Sequence, residues 1–268
     1  MRAIHTPVLL EEVLESFDTA LIRERGGILI DCTLGLGGHS KILLQKYPKL
    51  KLIGIDQDRQ AIENAWEHLR IFGDRVMIEE GRFSEVLKKV LHREVVGVLA
   101  DIGISSLQVD DKQRGFSFDS HNLDMRMNPD CYLDAKKVVN TYSLHELERI
   151  FRDFGEMREY KKAAHLVVES RKQEKITSAK TLSQLFAQHF KSSKSFKIHP
   201  ATLPFQAIRI EVNDELGELE RMLKLIGQME FQSGARVGII TFHSLEDRRV
   251  KTAFKGWERS CICSPQVT

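Results

Sequence analysis

Three carboxylates stand at the ends of short apolar runs in this chain. Asp31 follows ILI, Asp56 follows LIGI and Asp101 follows VVGVLA. Continuous apolar runs of this length are typical of strands that are buried on both faces of a parallel sheet. Such sheets bind ligands outside the carboxyl ends of their strands. The spacing therefore predicts an acidic site in which carboxylates accept hydrogen bonds from hydroxyl or amino groups.

A glycine-rich turn follows the first acid, in the segment ILIDCTLGLGGH. Gly35, Gly37 and Gly38 permit a tight turn that brings backbone N–H groups close to a ligand. A helix is predicted directly after it, over 40–47. Strand, turn and helix N-terminus form the first unit of a nucleotide-binding sheet. Asp56 follows at roughly the ~20-residue spacing at which a carboxylate receives ribose hydroxyls in such folds.

Two residues favour a ligand other than a dinucleotide. The third glycine of a dinucleotide fingerprint would fall at Ser40, and Asp31 would repel a nearby pyrophosphate. A cationic, phosphate-free ligand such as S-adenosylmethionine fits better than NAD. An NAD-dependent oxidoreductase is the alternative enzyme class, but the chain has no obvious hydride-relay pair. A non-catalytic RNA-binding module is the second alternative, and the intact strand-end acids argue against it.

The composition narrows the class of protein. The chain has 268 residues, 42% of them hydrophobic, and a formal net charge of only +2. These values predict a globular soluble protein, so any nucleic-acid surface must be a local patch. No apolar run approaches the ~20 residues of a membrane span, and a signal-peptide pattern is missing, which predicts a cytoplasmic protein. The four cysteines are too few and too unevenly spaced for a disulfide framework.

The order of apolar patterns predicts an α/β fold, a Rossmann-like sheet with an inserted helical domain. Strands are expected at about 28–30, 51–55, 75–78, 95–102 and 236–241. Helices are expected over 5–17, 40–47, 84–91 and 213–231, and Asp58 is a plausible cap for a further helix. From Gln108 to about Pro204 only helical patterns recur. The predicted domains are 1–108 and 206–268 for the sheet, and 109–205 for the insert.

The insert carries a local excess of positive charge. Between Arg152 and Pro200 there are eleven Lys or Arg residues and five Asp or Glu residues, a formal charge of +6. Solvated helix faces would explain this pattern. Beside a group-transfer site it would instead indicate a phosphate-binding surface.

Six separated segments resemble the bacterial RsmH (MraW) family of ribosomal RNA methyltransferases. They are TLGLGGHS, ADIGISSLQVDD, RGFSF, LDMRM, HPATLPFQAIRIEVNDEL and TFHSLEDR. The resemblance implies a class I S-adenosylmethionine-dependent methyltransferase fold. It also implies methylation of N4 of a cytidine in the decoding (P-site) region of 16S ribosomal RNA, with that RNA or the small ribosomal subunit as partner. The oligomeric state is left open, a homodimer included.

The resemblance also implies a set of cofactor-binding residues. They are Gly37, Gly38, His39, Asp56 at the ribose, Phe83 by the adenine, Asp101 and Gln108. From the residues alone, Asp56, Phe83 and Asp101 are already candidates, and Phe83 either stacks on the adenine or fills core. Some family members carry two C-x-C pairs near the C-terminus. Only Cys261-Ile262-Cys263 is present here, so no metal site is expected.

Asp101 and His243 are the predicted catalytic residues. The amino group of cytosine is a poor nucleophile, so placing N4 about 3 to 3.5 Å from the methyl group matters most. A carboxylate at Asp101 can accept an N4 hydrogen and then the proton. Alternatively, Asp101 only orients the methionine amino group of the cofactor. His243 either contacts substrate or closes the pocket, and Ser244 is predicted to cap the following helix.

The flipped cytidine also needs an apolar wall and a stacking partner. Phe116, Phe118 and Phe242 are candidates for the wall. Arg114 and Arg126 are candidates for stacking, unless they pair with neighbouring aspartates.

Overall fold

A computed structural model describes residues 7–91, 93–190 and 199–259 of the chain. The chain forms two compact units. The first combines the residues up to Gly103 with those from Leu216 onward, and the second is Ile104–Glu215. No helix among the described residues is long and apolar enough to cross a bilayer.

The first unit is built on a parallel sheet. Its strands are β1 Gly27–Asp31, β2 Leu50–Asp56, β3 Val76–Glu80, β4 Val95–Asp101 and β5 Phe231–Ile240. They pair in the order β3-β2-β1-β4-β5, and every pair is parallel. The chain moves outward from β1 to β3 and then returns to the other side of β1. This confirms the predicted Rossmann-like class, with its switch point between β1 and β4.

The helices before the second unit either precede β1 or connect the first four strands. They are α1 Leu10–Ser16, a π-helical turn Leu21–Arg25, α2 Gly38–Lys46, α3 Arg59–Leu69, a 3-10 segment Arg70–Arg75 and α4 Phe83–Val90. Asp58 caps α3 as predicted, since its side chain accepts a hydrogen bond from the N–H of Gln60. The helix predicted over 5–17 is wrong at its start. Leu9 has a left-handed φ of 51°, so α1 begins only at Leu10, and residues 5 and 6 lie outside the described residues.

The described residues of the second unit form helices and loops and contain no strand. Its helices are α5 Ser106–Asp110, α6 Ala135–Thr141, α7 Leu144–Asp153, α8 Tyr160–Gln173, α9 Ala179–His189 and α10 Thr202–Asn213. One core joins α6 to α10, and in it Phe151 of α7, Val167 of α8 and Phe186 of α9 are fully buried. The helical periodicity predicted this architecture.

The chain re-enters the first unit through α11 Glu215–Ile226, β5 and α12 Ser244–Arg259. The helix predicted over 213–231 is present as α11 but is shorter at both ends, because Asp214 adopts a left-handed φ of 52° before it and the helix ends at Ile226. β5 also starts earlier than predicted, at Phe231. Its pairing with β4 is irregular up to Arg236. From Arg236 to Ile240 the pairing is regular, and this part matches the predicted strand.

Helices cover both faces of the sheet. Successive residues of a strand point to opposite faces. Leu29 of β1 packs with Phe17 and with Leu43 of α2, while Ile30 packs with Leu87 of α4 and with residues of α11. Because β1, β2 and β4 are largely buried, they are mostly apolar and were recognisable from the sequence.

Candidate functional site

Three neighbouring strands end in a carboxylate at one edge of the sheet. Asp56, Asp31 and Asp101 end β2, β1 and β4, which are adjacent in that order. Asp31 and Asp101 therefore flank the switch point, where sheets of this kind bind ligands, and Asp56 lies one strand away from it.

Asp31 fixes the turn that follows its own strand. Its carboxylate accepts hydrogen bonds from Ser40 Oγ at 2.6 Å and from the Thr33 N–H at 3.2 Å. The side chain is buried, and this burial raises the pKa of Asp31. Ser40, which stands at the third-glycine position of a dinucleotide fingerprint, thus has a structural role in tying α2 to β1.

Asp56 is held by two backbone N–H groups. Its Oδ2 accepts from Gly35 at 2.8 Å and its Oδ1 from Asp58 at 2.9 Å. Burial raises the pKa of Asp56 to about 6, and the Asp58 and Asp31 carboxylates add to the rise while the two N–H groups oppose it. Each carboxylate oxygen has a second lone pair, so Asp56 can still accept hydrogen bonds from two ligand hydroxyls.

The glycine turn presents fewer N–H groups than its sequence predicted. Gly35 and Gly37 have left-handed φ values of 52° and 73°. The Gly35 N–H is used by Asp56, and the Gly37 N–H donates to the Leu34 carbonyl at 2.7 Å. The expectation that the turn offers its N–H groups to a ligand is therefore wrong for these two. The first-turn N–H groups of α2, from Gly38 on, have no intrahelical acceptor and remain suited to a ligand.

His39 and Asp101 face each other across this edge. His39 Nε2 lies 2.8 Å from the Val8 carbonyl, which can only accept, so Nε2 carries the hydrogen. In the neutral ring Nδ1 is then an acceptor, and it lies 4.0 Å from Asp101 Oδ2. Two acceptors at this distance suit a ligand group with several N–H donors, such as an ammonium.

Thr33 is a site residue that the sequence did not single out. Its Oγ1 accepts a hydrogen bond of 2.6 Å from the Asp101 N–H, while its own N–H donates to Asp31. It thereby links the ends of β1 and β4. No spacing signals this role, because it depends on the register between two strands that are distant in sequence.

His243 follows β5 and is supported by a buried acid. Glu246, 1% exposed, accepts through Oε2 from the N–H groups of Phe242 at 2.9 Å and His243 at 3.3 Å. Its Oε1 lies 3.0 Å from His243 Nε2. Ser244 is the first helical residue of α12, and Glu246 accepts from the N–H groups of the two residues before it, so capping by Ser244 stays a prediction. The acid three positions after the histidine was the available signal.

The candidate aromatic residues fall in different parts of the molecule. Phe242 is 58% exposed and lies beside Gly103, where a Cβ would be 3.3 Å from its ring. It belongs to the same unit as Asp101. Phe116 and Phe118 belong to the second unit and pack in or against its core. Phe83 is the first residue of α4 and packs, partly buried, against the core of the first unit.

Gln108 belongs to the second unit and is engaged in a capping box. Its backbone N–H donates to Ser105 Oγ at 3.3 Å, and its Oε1 accepts from the Ser105 N–H at 3.0 Å. The side chain is buried. Its predicted contact with a cofactor stays a prediction.

The two candidate stacking arginines organise the loop before α6. Arg126 forms a bidentate pair with Asp124, with distances of 2.9 and 2.8 Å. Arg114 Nη2 donates to the carbonyls of Arg126 and Met127. Arg126 is thus paired with an aspartate, which was the alternative to a stacking role. The described residues contain no group of three or more potential metal ligands, and Cys261 and Cys263 lie outside them.

A parallel sheet with its switch point between β1 and β4, and with acids at the strand ends there, is the architecture of Rossmann-like class I methyltransferases. The chain belongs to the MraW methylase family, whose model matches residues 2–268.

Curated relatives resemble the chain along nearly its whole length. The protein named ribosomal RNA small subunit methyltransferase H from Wolinella succinogenes is 55% identical over 267 residues, covering 100% of this chain and 85% of that protein. The protein of the same name from Sulfurimonas denitrificans is 51% identical, with 98% and 84% covered. The one from Helicobacter pylori is 50% identical, with 99% and 84% covered.

Proposed function

We propose that the protein transfers the methyl group of S-adenosylmethionine to N4 of a cytidine in the P-site region of 16S ribosomal RNA. The observation that carries this proposal is the grouping of Asp56, His39 and Asp101 at one strand edge, in a chain whose relatives are named small-subunit RNA methyltransferases.

The donors and acceptors at this edge fit S-adenosylmethionine. Asp56 would accept hydrogen bonds from the ribose hydroxyls, and the His39 and Asp101 acceptors would hold the methionine ammonium. The N–H groups at the start of α2, from Gly38 on, would receive its carboxylate, and Gly37 would form the turn that positions them. The resemblance adds two more residues to this set, Phe83 at the adenine and Gln108. When bound, the cofactor supplies a methyl group on a positively charged sulfur.

Asp101 and His243 would act on the amino group of the cytidine. Asp101 ends β4, and its carboxylate is partly exposed, with 25% of its side chain accessible. In this role it accepts an N4 hydrogen and makes the nitrogen a better nucleophile. Asp101 would then take up the proton that N4 releases, and His243, whose Nε2 lies 3.0 Å from the buried carboxylate of Glu246, would contact the substrate. Phe242 supplies an apolar surface at the same edge.

The second unit would carry the RNA surface. Lys161, His165 and Lys172 are exposed and lie on one face of α8, at positions i, i+4 and i+11. Lys175 and Lys180 are exposed in the segment that follows. Arg171 does not belong to this surface, because its guanidinium donates to two backbone carbonyls, those of Val139 and Tyr142.

Identification of the methylated nucleoside tests the reaction. The protein is incubated with methyl-labelled S-adenosylmethionine and either unmodified 16S RNA or small subunits, and the RNA is then digested to nucleosides. We expect labelled N4-methylcytidine that maps to the P-site region. Label on carbon 5 of cytosine, or on another base, would contradict the proposed chemistry.

Calorimetric titration separates the enzyme classes. We expect S-adenosylmethionine to bind and NAD to give no heat. Tight binding of NAD would favour the oxidoreductase alternative. RNA binding without affinity for either cofactor would favour a non-catalytic module.

A further inference from the structure

An aromatic side chain projects from the loop between α5 and α6 of the second unit. Tyr132 is 83% exposed, the largest value among the exposed large hydrophobic side chains of the described residues. The ammonium of Lys137 lies 3.4 Å from the centroid of its ring. The same ammonium donates a hydrogen bond to the Tyr132 carbonyl, so the cation is fixed over one face of the ring. With so much of the side chain exposed, the other face is open to solvent.

Hydrogen bonds hold the loop in place both before and after Tyr132 in the sequence. Arg126 Nη1 donates to the carbonyls of Pro129 at 2.5 Å and Cys131 at 2.7 Å. On the other side, the Asp134 carboxylate accepts from the Lys137 N–H at 2.7 Å and caps α6. Binding to such a pre-ordered side chain loses little conformational entropy.

A rigid ring with one open face and a cation on the other suits an unpaired nucleic-acid base. Bases of single-stranded RNA stack on aromatic side chains, and a cation near the ring also attracts the adjoining phosphate. A duplex would not offer its base faces to such a ring. An apolar protein surface would have to desolvate the ammonium of Lys137.

We propose that Tyr132, backed by Lys137, is a stacking platform for an unpaired base of the RNA substrate. The identity of that RNA rests on the proposed function, whereas the stacking role follows from the ring, the cation and the rigid loop.

RNA binding by matched variants tests the platform. Affinity for a P-site fragment of 16S RNA is measured by fluorescence anisotropy at several salt concentrations for the wild type, Tyr132→Ala and Tyr132→Phe. We expect Tyr132→Ala to weaken binding by roughly 5- to 150-fold, the range for loss of one stacked base, and Tyr132→Phe to bind like the wild type. The slope of log affinity against log salt should not change, because no phosphate contact to Tyr132 is lost.

A second aromatic residue provides the control. Trp66 is 48% exposed and lies on α3 of the first unit, so Trp66→Ala removes an exposed ring elsewhere and should leave RNA affinity unchanged. Thermal unfolding of each variant verifies that it is folded. Unchanged affinity of a folded Tyr132→Ala variant would overturn the platform and leave the proposed function intact.

Binding to assembled small subunits distinguishes a contact of Tyr132 with RNA from a contact with a ribosomal protein. A Tyr132→Ala defect seen with small subunits but not with the naked fragment would assign Tyr132 to a protein contact and overturn base stacking. If the wild type bound neither RNA nor subunits, the proposed function itself would fail, and this inference with it.

Discussion

Asp56 should make cofactor affinity depend on pH. Its pKa of about 6 is raised mainly by burial, so the side chain gains a proton as the pH falls from 7 to 5. A protonated carboxyl group loses the charge-assisted hydrogen bonds to ribose hydroxyls, which are worth about 1.5 to 3 kcal/mol each. We therefore expect S-adenosylmethionine to bind more weakly at pH 5 than at pH 7, as measured by calorimetry.

An Asp56→Asn variant is the control for this titration. It should bind the cofactor weakly and with little pH dependence between 5 and 7. Its amide NH2 cannot accept from one of the two backbone N–H groups that Asp56 binds, so it should unfold cooperatively but at a lower temperature than the wild type. If the variant retained the full pH dependence, another group at the edge would be responsible for it.

Binding and chemistry should separate at Asp101. If its carboxylate accepts an N4 hydrogen as the nitrogen attacks, it contributes more in the transition state than in the ground state. We expect Asp101→Asn to lower single-turnover methyl transfer at saturating cofactor by roughly 10²- to 10⁴-fold, with a smaller effect on affinity. A nearly normal rate at saturation together with weakened cofactor binding would show that Asp101 only orients the methionine amino group and would rule out its catalytic role.

At the scale of residues, the sequence predicted acids but not their partners. Asp31, Asp56 and Asp101 were recognisable because each ends a buried run. The contact of His39 with the Val8 carbonyl joins positions 31 residues apart, and no local pattern encodes it. His39 therefore became a candidate only through the family resemblance.

At the scale of secondary-structure elements, the close packing around β4 can be tested by a substitution in that strand. A Cβ at Gly97 of β4 would lie 2.7 Å from a ring carbon of Phe17 and 2.9 Å from a methyl carbon of Leu29. Overpacking of this kind costs about 1 to 3 kcal/mol. We expect Gly97→Ala to lower the free energy of unfolding by that amount in denaturant titrations.

Gly256 offers the opposite case in the same unit. It lies in α12, and a Cβ there would meet nothing within 4 Å. Alanine in a helix interior is favoured over glycine by about 0.5 to 1 kcal/mol, so Gly256→Ala should raise the free energy of unfolding. Equal destabilisation by both substitutions would contradict this account of packing around β4.

Helices and strands with regularly spaced apolar residues were predicted well, but the residues at which they begin and end were not. The buried strands and the helices of the second unit follow from apolar patterns. The break between α10 and α11 depends on the left-handed conformation of Asp214, in a segment whose helical period continues on both sides. The early start of β5 likewise depends on an irregular pairing with β4 near Gly234, which has a φ of 91°.

At the scale of the whole molecule, RNA affinity and cofactor affinity should lie in different units. Reversing the charge of Lys161 and Lys172 on α8 should weaken RNA binding and flatten its salt dependence, by up to about 0.7 log-log units per lost phosphate contact. S-adenosylmethionine affinity should not change. Anisotropy in a salt series and calorimetry measure the two quantities.

The first unit provides a control with the same change in net charge. Lys88 and Lys89 are exposed on α4, and their reversal should leave the salt slope closer to that of the wild type. Equal slopes for both double variants would indicate a long-range charge effect rather than an RNA surface on α8.

The order of strands has a consequence for the growing polypeptide. β4 lies inside the finished sheet, yet its partner β5 is synthesised only after the entire second unit. Until then one edge of β4 exposes unpaired backbone groups, which can pair with other chains. The entropic cost of closing a loop grows only slowly with the number of residues in the loop. The long stretch of chain between β4 and β5 therefore delays their pairing more than it weakens it. In pulse-labelled hydrogen exchange we expect the amides of β5 to gain protection after those of α7 and α8. The period of aggregation risk at the β4 edge would then end only when β5 docks, however early the second unit folds.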